Sequence, residues 1–225
     1  YGPRHAALFE LLAGTEPPED QLLDRLEELG ELCARMHLHT RSWTRPEGFV
    51  RFRWDFDACL GSESRWGRWQ DGIGVGPAER EVIGRAVDTL EHRLARLGDG
   101  AERFGLIHAD VRLSNLLVDG AAMHIIDFDD CGFGWYLYDL ASALSFIEHR
   151  PDVAELCDAW LRGYRSLLSV SASDEADIPT LIVLRRLLLV AWVGSHRFAD
   201  TARTLGAEFT ADTCVLAEEY LARFG

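Results

Sequence analysis

The 225-residue chain predicts an α+β fold, mostly helical around a very small β element, and three observations carry that reading. Long segments repeat apolar residues every three or four positions, as in Leu22, Leu26, Leu29, Cys33 and Met36, the spacing of one helix face. Between them, from Phe104 to Ile126, the apolar runs shorten and are joined by turn residues, the pattern of brief strands. The composition, 48% hydrophobic, 10% aromatic and 27% charged, is that of a globular protein. It excludes a disordered, collagen-like or disulfide-knotted chain.

Taken in order, His5 to Leu12 reads as a short buried strand running into a connector, Ala13 to Pro18. A helix follows from about Glu19 to His39. Ser42 to Gly76 is irregular and holds Trp43, Trp54, Trp66 and Trp69, which read by default as packing of a long insertion and alternatively as the lining of an acceptor pocket. Pro77 suits the first position of a second helix, to Leu97, with Val82, Ala86, Leu90 and Leu94 inward. Phe104–Ile107 is an apolar run ending in His108-Ala109-Asp110. Leu116–Val118 and Met123–Ile126 are brief strands joined by the turn dipeptide Asp119-Gly120. After Gly132 and Gly134 the helical pattern returns over Leu137–Glu148, Val153–Leu168, Ile178–Phe198 and Thr210–Arg223.

The 23 Lys and Arg against 37 Asp and Glu leave a formal charge of −14. Such a surface repels phosphate backbones and anionic lipid, so nucleic-acid and membrane partners are disfavoured and cationic small molecules favoured. The five cysteines are scattered, with no Cys-x-x-Cys pair; they read as reduced thiols of a cytoplasmic protein rather than a zinc ribbon. No signal-peptide pattern is seen. The longest apolar stretch, Leu181 to Gly194, is interrupted by Arg185 and Arg186 and reads as too short to span a bilayer. The chain begins at Tyr1 and not at Met, which reads as a piece of a longer polypeptide.

The informative segment runs from Ile107 to Asp130. Asp110, Asn115 and Asp127 are polar residues embedded in apolar, strand-like sequence, and buried carboxylates are costly unless paired or holding metal. A hairpin from Asn115 to Asp127 brings its two ends together, so that their oxygens face one point. That suits a hard cation such as Mg²⁺ shared with substrate phosphates. Asp110, on the same loop, then sits where it accepts a proton from a hydroxyl. Singly, Asp110 also reads as a loop cap and Asn115 as a turn residue. Asp129 reads equally as a metal or substrate contact or a solvated carboxylate, and Asp130 as solvated. Arg112 and Ser114 suit phosphate, acceptor or surface, and Cys131 a buried thiol. Gly72 to Pro77 follows no strand and lacks a third phosphate-loop glycine, and His37 and His39 lie two apart, the wrong spacing for a shared helix face.

His108-x-Asp110-x-x-x-x-Asn115, a short hairpin, Ile126-Asp127-Phe128-Asp129, and then Tyr138-Asp139-Leu140-Ala141 together resemble the aminoglycoside phosphotransferase and choline kinase-like family. That family is a small-molecule branch of the protein-kinase fold. His-Ala-Asp stands where protein kinases have His-Arg-Asp, and Asp-Phe-Asp where they have Asp-Phe-Gly, as is usual for this branch. The resemblance implies Asp110 as catalytic base, Asn115 and Asp127 as metal ligands, His108 as a support of the loop, and Asp139 bonding that loop from behind. Residues 19–225 become a helical large lobe, with catalytic loop 108–115 and metal-binding segment 125–130. Within residues 1–18, Phe9-Glu10-Leu11-Leu12 resembles the last small-lobe strand and the hinge that meets adenine. The glycine-rich loop, lysine and glutamate that the family places before the hinge, and so the small lobe, are expected to be absent here. The chain has no lysine at all, and an arginine does not simply replace one.

The implied function is ATP-dependent, Mg²⁺-assisted transfer of the γ-phosphate to a hydroxyl of a small, amine-bearing molecule. Two alternatives stand beside it: a kinase acting on a peptide or protein Ser/Thr, and a catalytically incomplete kinase-like binding module.

Overall fold

Helix α7, Ile178–Ser195, is apolar nearly all round because protein surrounds most of it; the computed structural model, which describes residues 8–225, packs several of the other helices against it. It is longer than the apolar run read from the sequence. By length and composition it would cross a membrane, with a mean hydropathy of 1.6 over its 18 residues, yet 78% of that span is buried inside the protein. It is a core helix.

The remaining helices are α1 (Leu22–Ser42), α2 (Phe56–Leu60), α3 (Pro77–Leu97), α4 (Tyr138–Ala143), α5 (Val153–Arg165), α6 (Ala172–Ala176) and α8 (Asp200–Phe224). A 3₁₀ turn precedes α1, so the helix starts and ends three residues later than its periodicity predicts. Its buried stripe closes on His37 rather than Met36. Along α3 it is Ile83, not Val82, that is fully buried, with Ala86, Leu90 and Leu94 in line. The helix expected over Leu137–Glu148 stops at Ala143, and Phe146 takes a positive φ of 73°, which a helix cannot contain. Helix α8 begins ten residues before the expected Thr210 and is interrupted at Gly206, φ 53°.

The β structure is two antiparallel pairs. Strand β2 (Leu116–Asp119) and β3 (Ala122–Ile125) form the expected hairpin, with Leu116 opposite Ile125. Strand β1 (Phe104–Ile107) pairs with β4 (Gly132–Trp135), a strand that its Gly-Phe-Gly-Trp sequence did not announce. Glycine is favoured there at Gly132, where a Cβ would lie 2.8 Å from the Phe52 carbonyl oxygen. The register Ile107↔Gly132 places the loop leaving β1 beside the loop entering β4. The hairpin is inserted between these two loops.

The expected strand over His5–Leu12 is corrected where it can be seen. Residues 8–12 form no strand, and Leu8, Phe9 and Leu11 are almost fully exposed; residues 5–7 lie outside the described part. An isolated segment gains strand geometry only from a partner, and here only Thr15 finds one, bridging to Val118.

Helices α1 and α5 touch backbone to backbone. A Cβ on Gly163 would lie 1.8 Å from the Glu27 carbonyl oxygen, and one on Gly30 would lie 2.0 Å from that of Trp160. Gly163→Ala should therefore force the helices apart and cost about 3 kcal/mol of stability, read as a lower urea midpoint with an unchanged slope.

Candidate active site

Every residue of the site hangs on the loop between β1 and β2 and on the buried carboxylate behind it. Asp139, in the first turn of α4, has no solvent exposure. Its Oδ1 accepts the Ala109 N–H at 2.7 Å, and its Oδ2 accepts the His108 N–H at 3.2 Å and faces His37 Nε2 at 2.9 Å. The other His37 nitrogen lies 2.9 Å from the Tyr164 hydroxyl. Two residues beyond Ala109, the Val111 N–H donates to Ser142 Oγ at 3.1 Å. A charged oxygen removed from water needs this many donors. In meeting the need, Asp139 holds Ala109 at φ 69°, a left-handed conformation costly for a side chain that has a Cβ.

That bend presents Asp110, 8% exposed, next to Asn115 in the 3₁₀ turn Leu113–Asn115. Asn115 Nδ2 donates to Asp110 Oδ2 and to the Asp110 carbonyl, each at 2.8 Å. Arg112 Nε reaches the same Oδ2 at 3.2 Å. Oδ1 is taken by Arg185 from α7, whose side chain is 1% exposed and also bonds Ser145 Oγ and the Ala109 carbonyl. Burial by itself would push the Asp110 carboxyl up. The guanidiniums of Arg185 and Arg112 outweigh that and hold it below the usual carboxylate range.

His108 ties this loop to the next. The Asp110 N–H donates to His108 Nδ1 at 3.2 Å, so the ring's proton sits on Nε2 and goes to the Ile126 carbonyl at 3.1 Å. Its ring packs against Phe128 at a tilt of 56°, centroids 4.5 Å apart. The Ile126 N–H in turn donates to the Asn115 carbonyl at 2.9 Å, which brings Asn115 to the start of the Asp127 segment. Asp127 has φ 64°, is exposed, and makes no hydrogen bond or ion pair among the described residues.

No three His, Cys, Asp or Glu side chains converge as a metal cluster among the described residues. The donor set available is smaller. It comprises the Asn115 amide oxygen, whose nitrogen is spent on Asp110, and the free Asp127 carboxylate. Both are hard oxygen donors and fit a divalent cation that takes its other ligands from phosphate and water. The Asp129 side chain is exposed and unpaired, while its carbonyl accepts from Arg51 at 2.5 Å. Asp130, expected to be solvated, is half-buried; burial and then the nearby Asp110 charge push its carboxyl up. Cys131 is likewise pushed up by burial, which makes it a poor nucleophile. Phe9, Glu10 and Leu11 lie in the exposed segment and make no hydrogen bond or ion pair with the loop.

Two partners were hidden from the sequence reading. Arg185 registered only as a break in an apolar run, although a charge in such a run must find a buried counter-ion. The two-residue spacing of His37 and His39 gives no shared-face signal, although His37 falls on the buried stripe of α1.

Residues 2–174 match the phosphotransferase enzyme family (APH), and the chain belongs to that family. Amicoumacin kinase of Bacillus subtilis (strain 168) is 25% identical over 191 residues, 80% of this chain but 53% of the relative. The chain thus spans about half the length of that curated relative. Among solved structures, the microcompartment-associated aminopropanol kinase superposes with a TM-score of 0.88 at 49% identity, covering 96% of this chain and 68% of that one. An amicoumacin kinase solved with AMP-PNP, Ca²⁺ and Ami superposes at 0.71 with 24% identity, covering 93% and 62%. The family resemblance read from residues 108–141 is borne out, and the fold is kinase-like.

The Arg185–Asp110 pair has a pH signature. With its folded pKa below the unfolded value, Asp110 contributes stability above the ordinary carboxylate range and loses it as the pH falls through the lowered pKa. In Arg185→Met the burial remains and its main counter-charge is gone, so the Asp110 carboxyl should rise above its unfolded value. Its contribution then changes sign, favouring the folded state as the pH drops. Carbon-detected NMR titration of the Asp110 carboxyl and urea unfolding between about pH 3 and 6 read both effects.

Proposed function

We propose that this member of the phosphotransferase enzyme family supplies the large-lobe chemistry of an ATP-dependent kinase that phosphorylates the hydroxyl of a small amino alcohol. The observation that carries the reading is that Asn115 bonds the Asp110 carboxylate while its carbonyl holds Ile126, the neighbour of Asp127, on a loop that Asp139 clamps from behind. The acceptor class is supported by the 49% identity to an aminopropanol kinase.

Asp110 is a weak base, since two arginines stabilise its ionised form. It does not strip an alcohol of its proton in the ground state. It orients the hydroxyl by accepting its hydrogen bond and takes the proton as the new oxygen–phosphorus bond forms and the bond between the γ-phosphorus and the ADP oxygen breaks. Arg112 is the most exposed of its partners, at 33%. It is the one that can yield its place on Oδ2 to the acceptor and turn toward phosphate. Asn115 and Asp127 would hold Mg²⁺, which supplies charge neutralisation on the phosphates when bound. The backbone of Phe9, Glu10 and Leu11, uncovered by any strand among the described residues, is the segment we assign to adenine. The five cysteines are all free, which suits a cytoplasmic setting.

Calorimetric titration of Mg·ATP, with ADP release measured in the presence of aminopropanol, tests the assignment. Asp110→Asn should lower turnover by about 10³-fold and leave Mg·ATP binding largely unchanged. Asp127→Asn should remove the magnesium dependence of binding. Unchanged turnover in the first variant, or retained metal-dependent binding in the second, would overturn the respective role.

A further inference from the structure

Asp110 has to accept a hydrogen bond from the acceptor hydroxyl, yet both of its carboxylate oxygens are already met. Oδ1 is taken by Arg185, which Ser145 Oγ at 3.0 Å and the Ala109 carbonyl at 3.3 Å hold in place. Any further site on Oδ1 lies beside a guanidinium with 1% exposure, out of reach of an incoming molecule. Oδ2 takes two donors, Asn115 Nδ2 at 2.8 Å and Arg112 Nε at 3.2 Å. A carboxylate oxygen offers about two lone-pair sites, so Oδ2 is full while both donors stay.

The donors differ in how firmly they are held. Asn115 is 4% exposed and spends Nδ2 on the Asp110 carbonyl as well, at 2.8 Å. Neither it nor Arg185 can leave without stranding a buried polar group. Arg112 can leave. Its side chain is 33% exposed, its contact to Oδ2 is at the long end of the hydrogen-bond range, and its two terminal nitrogens make no hydrogen bond among the described residues. An ion pair this exposed is easily exchanged.

What would draw it away belongs to the same turn. Arg112 directly precedes the 3₁₀ turn Leu113–Asn115, and the Asn115 N–H donates to its carbonyl at 2.8 Å. Phosphates held through Asn115 are therefore a short reach from a planar fork with two uncommitted nitrogens, which matches phosphate oxygens in pairs. Those oxygens carry more charge than a single carboxylate that Arg185 already neutralises.

We propose that Arg112 couples the two substrates. In the free protein it closes Asp110 Oδ2; when nucleotide binds it moves onto the phosphates, and only then can the acceptor hydroxyl reach Asp110. The proposal rests on the kinase reading and adds an order of binding to it, nucleotide before acceptor. No covalent bond changes in this step; one hydrogen bond of Asp110 is exchanged for another.

Aminopropanol titrated by calorimetry into the whole chain, alone and at saturating Mg·AMP-PNP, tests the coupling. Its affinity should be about tenfold higher with nucleotide bound, and by reciprocity Mg·AMP-PNP should bind about tenfold tighter with aminopropanol present. In Arg112→Met, which keeps the length of the side chain without its donors or charge, aminopropanol should bind equally well with and without nucleotide. Simple attraction of an ammonium to the triphosphate would survive in that variant, so a nucleotide effect retained there overturns the proposal. An NMR spectrum of the arginine side chains gives an independent reading: the Arg112 Nε–H resonance should shift when Mg·AMP-PNP is added without acceptor, and an unmoved resonance counts against the exchange. Normal Mg·AMP-PNP binding with no effect on aminopropanol sinks the coupling alone, whereas no nucleotide binding at all removes the kinase reading and the coupling with it.

Discussion

A single carboxylate with no access to water organises this molecule. Asp139 must be supplied with donors from protein alone, and it draws them from three places: the loop after β1, helix α1 through His37, and, through His37, the Tyr164 hydroxyl of α5. The close crossing of α1 and α5 at Gly30 and Gly163 lets those groups reach the same point. The loop is shaped by this demand rather than by its own propensity. Ala109 sits in a left-handed conformation that an alanine would not choose, because its N–H is claimed by Asp139 and its carbonyl by Arg185.

Helix α7 presents the complementary constraint. It is the most apolar helix in the chain and carries two adjacent arginines at its centre. Neither is free to reach solvent, so each organises a buried acid, Arg185 the Asp110 carboxylate and Arg186 that of Glu148. Breaking either pair would strand a charge in the interior, which costs far more than the pair contributes. The consequence for chemistry is direct. An aspartate held ionised by two arginines is poised to orient a hydroxyl and to receive a proton late, rather than to act as a strong base.

Much of the fold was legible because its signals are local. The long amphipathic helices α1 and α3 follow from their apolar spacing, and the β2–β3 hairpin from Asp119-Gly120 between two short apolar runs. The site motif was legible for the same reason, since Asp110, Asn115 and Asp127 are linked by one loop and one hairpin. Strand β4 was not, because Gly-Phe-Gly-Trp has no strand pattern of its own and becomes a strand only by pairing with β1. The early end of α4 was also hidden; the positive φ of Phe146 breaks a helix that the residues alone would have continued.

The sequence by itself determined the family, the polar residues of the loop and the order in which they occur, because these depend on neighbours a few positions away. Only the tertiary structure decided what surrounds them. Arg185 meets Asp110 from 75 positions along the chain, and His37 meets Asp139 from 102. Buried charge must be paired, but nothing local says with what; the packing of α1 and α7 against the loop makes that choice.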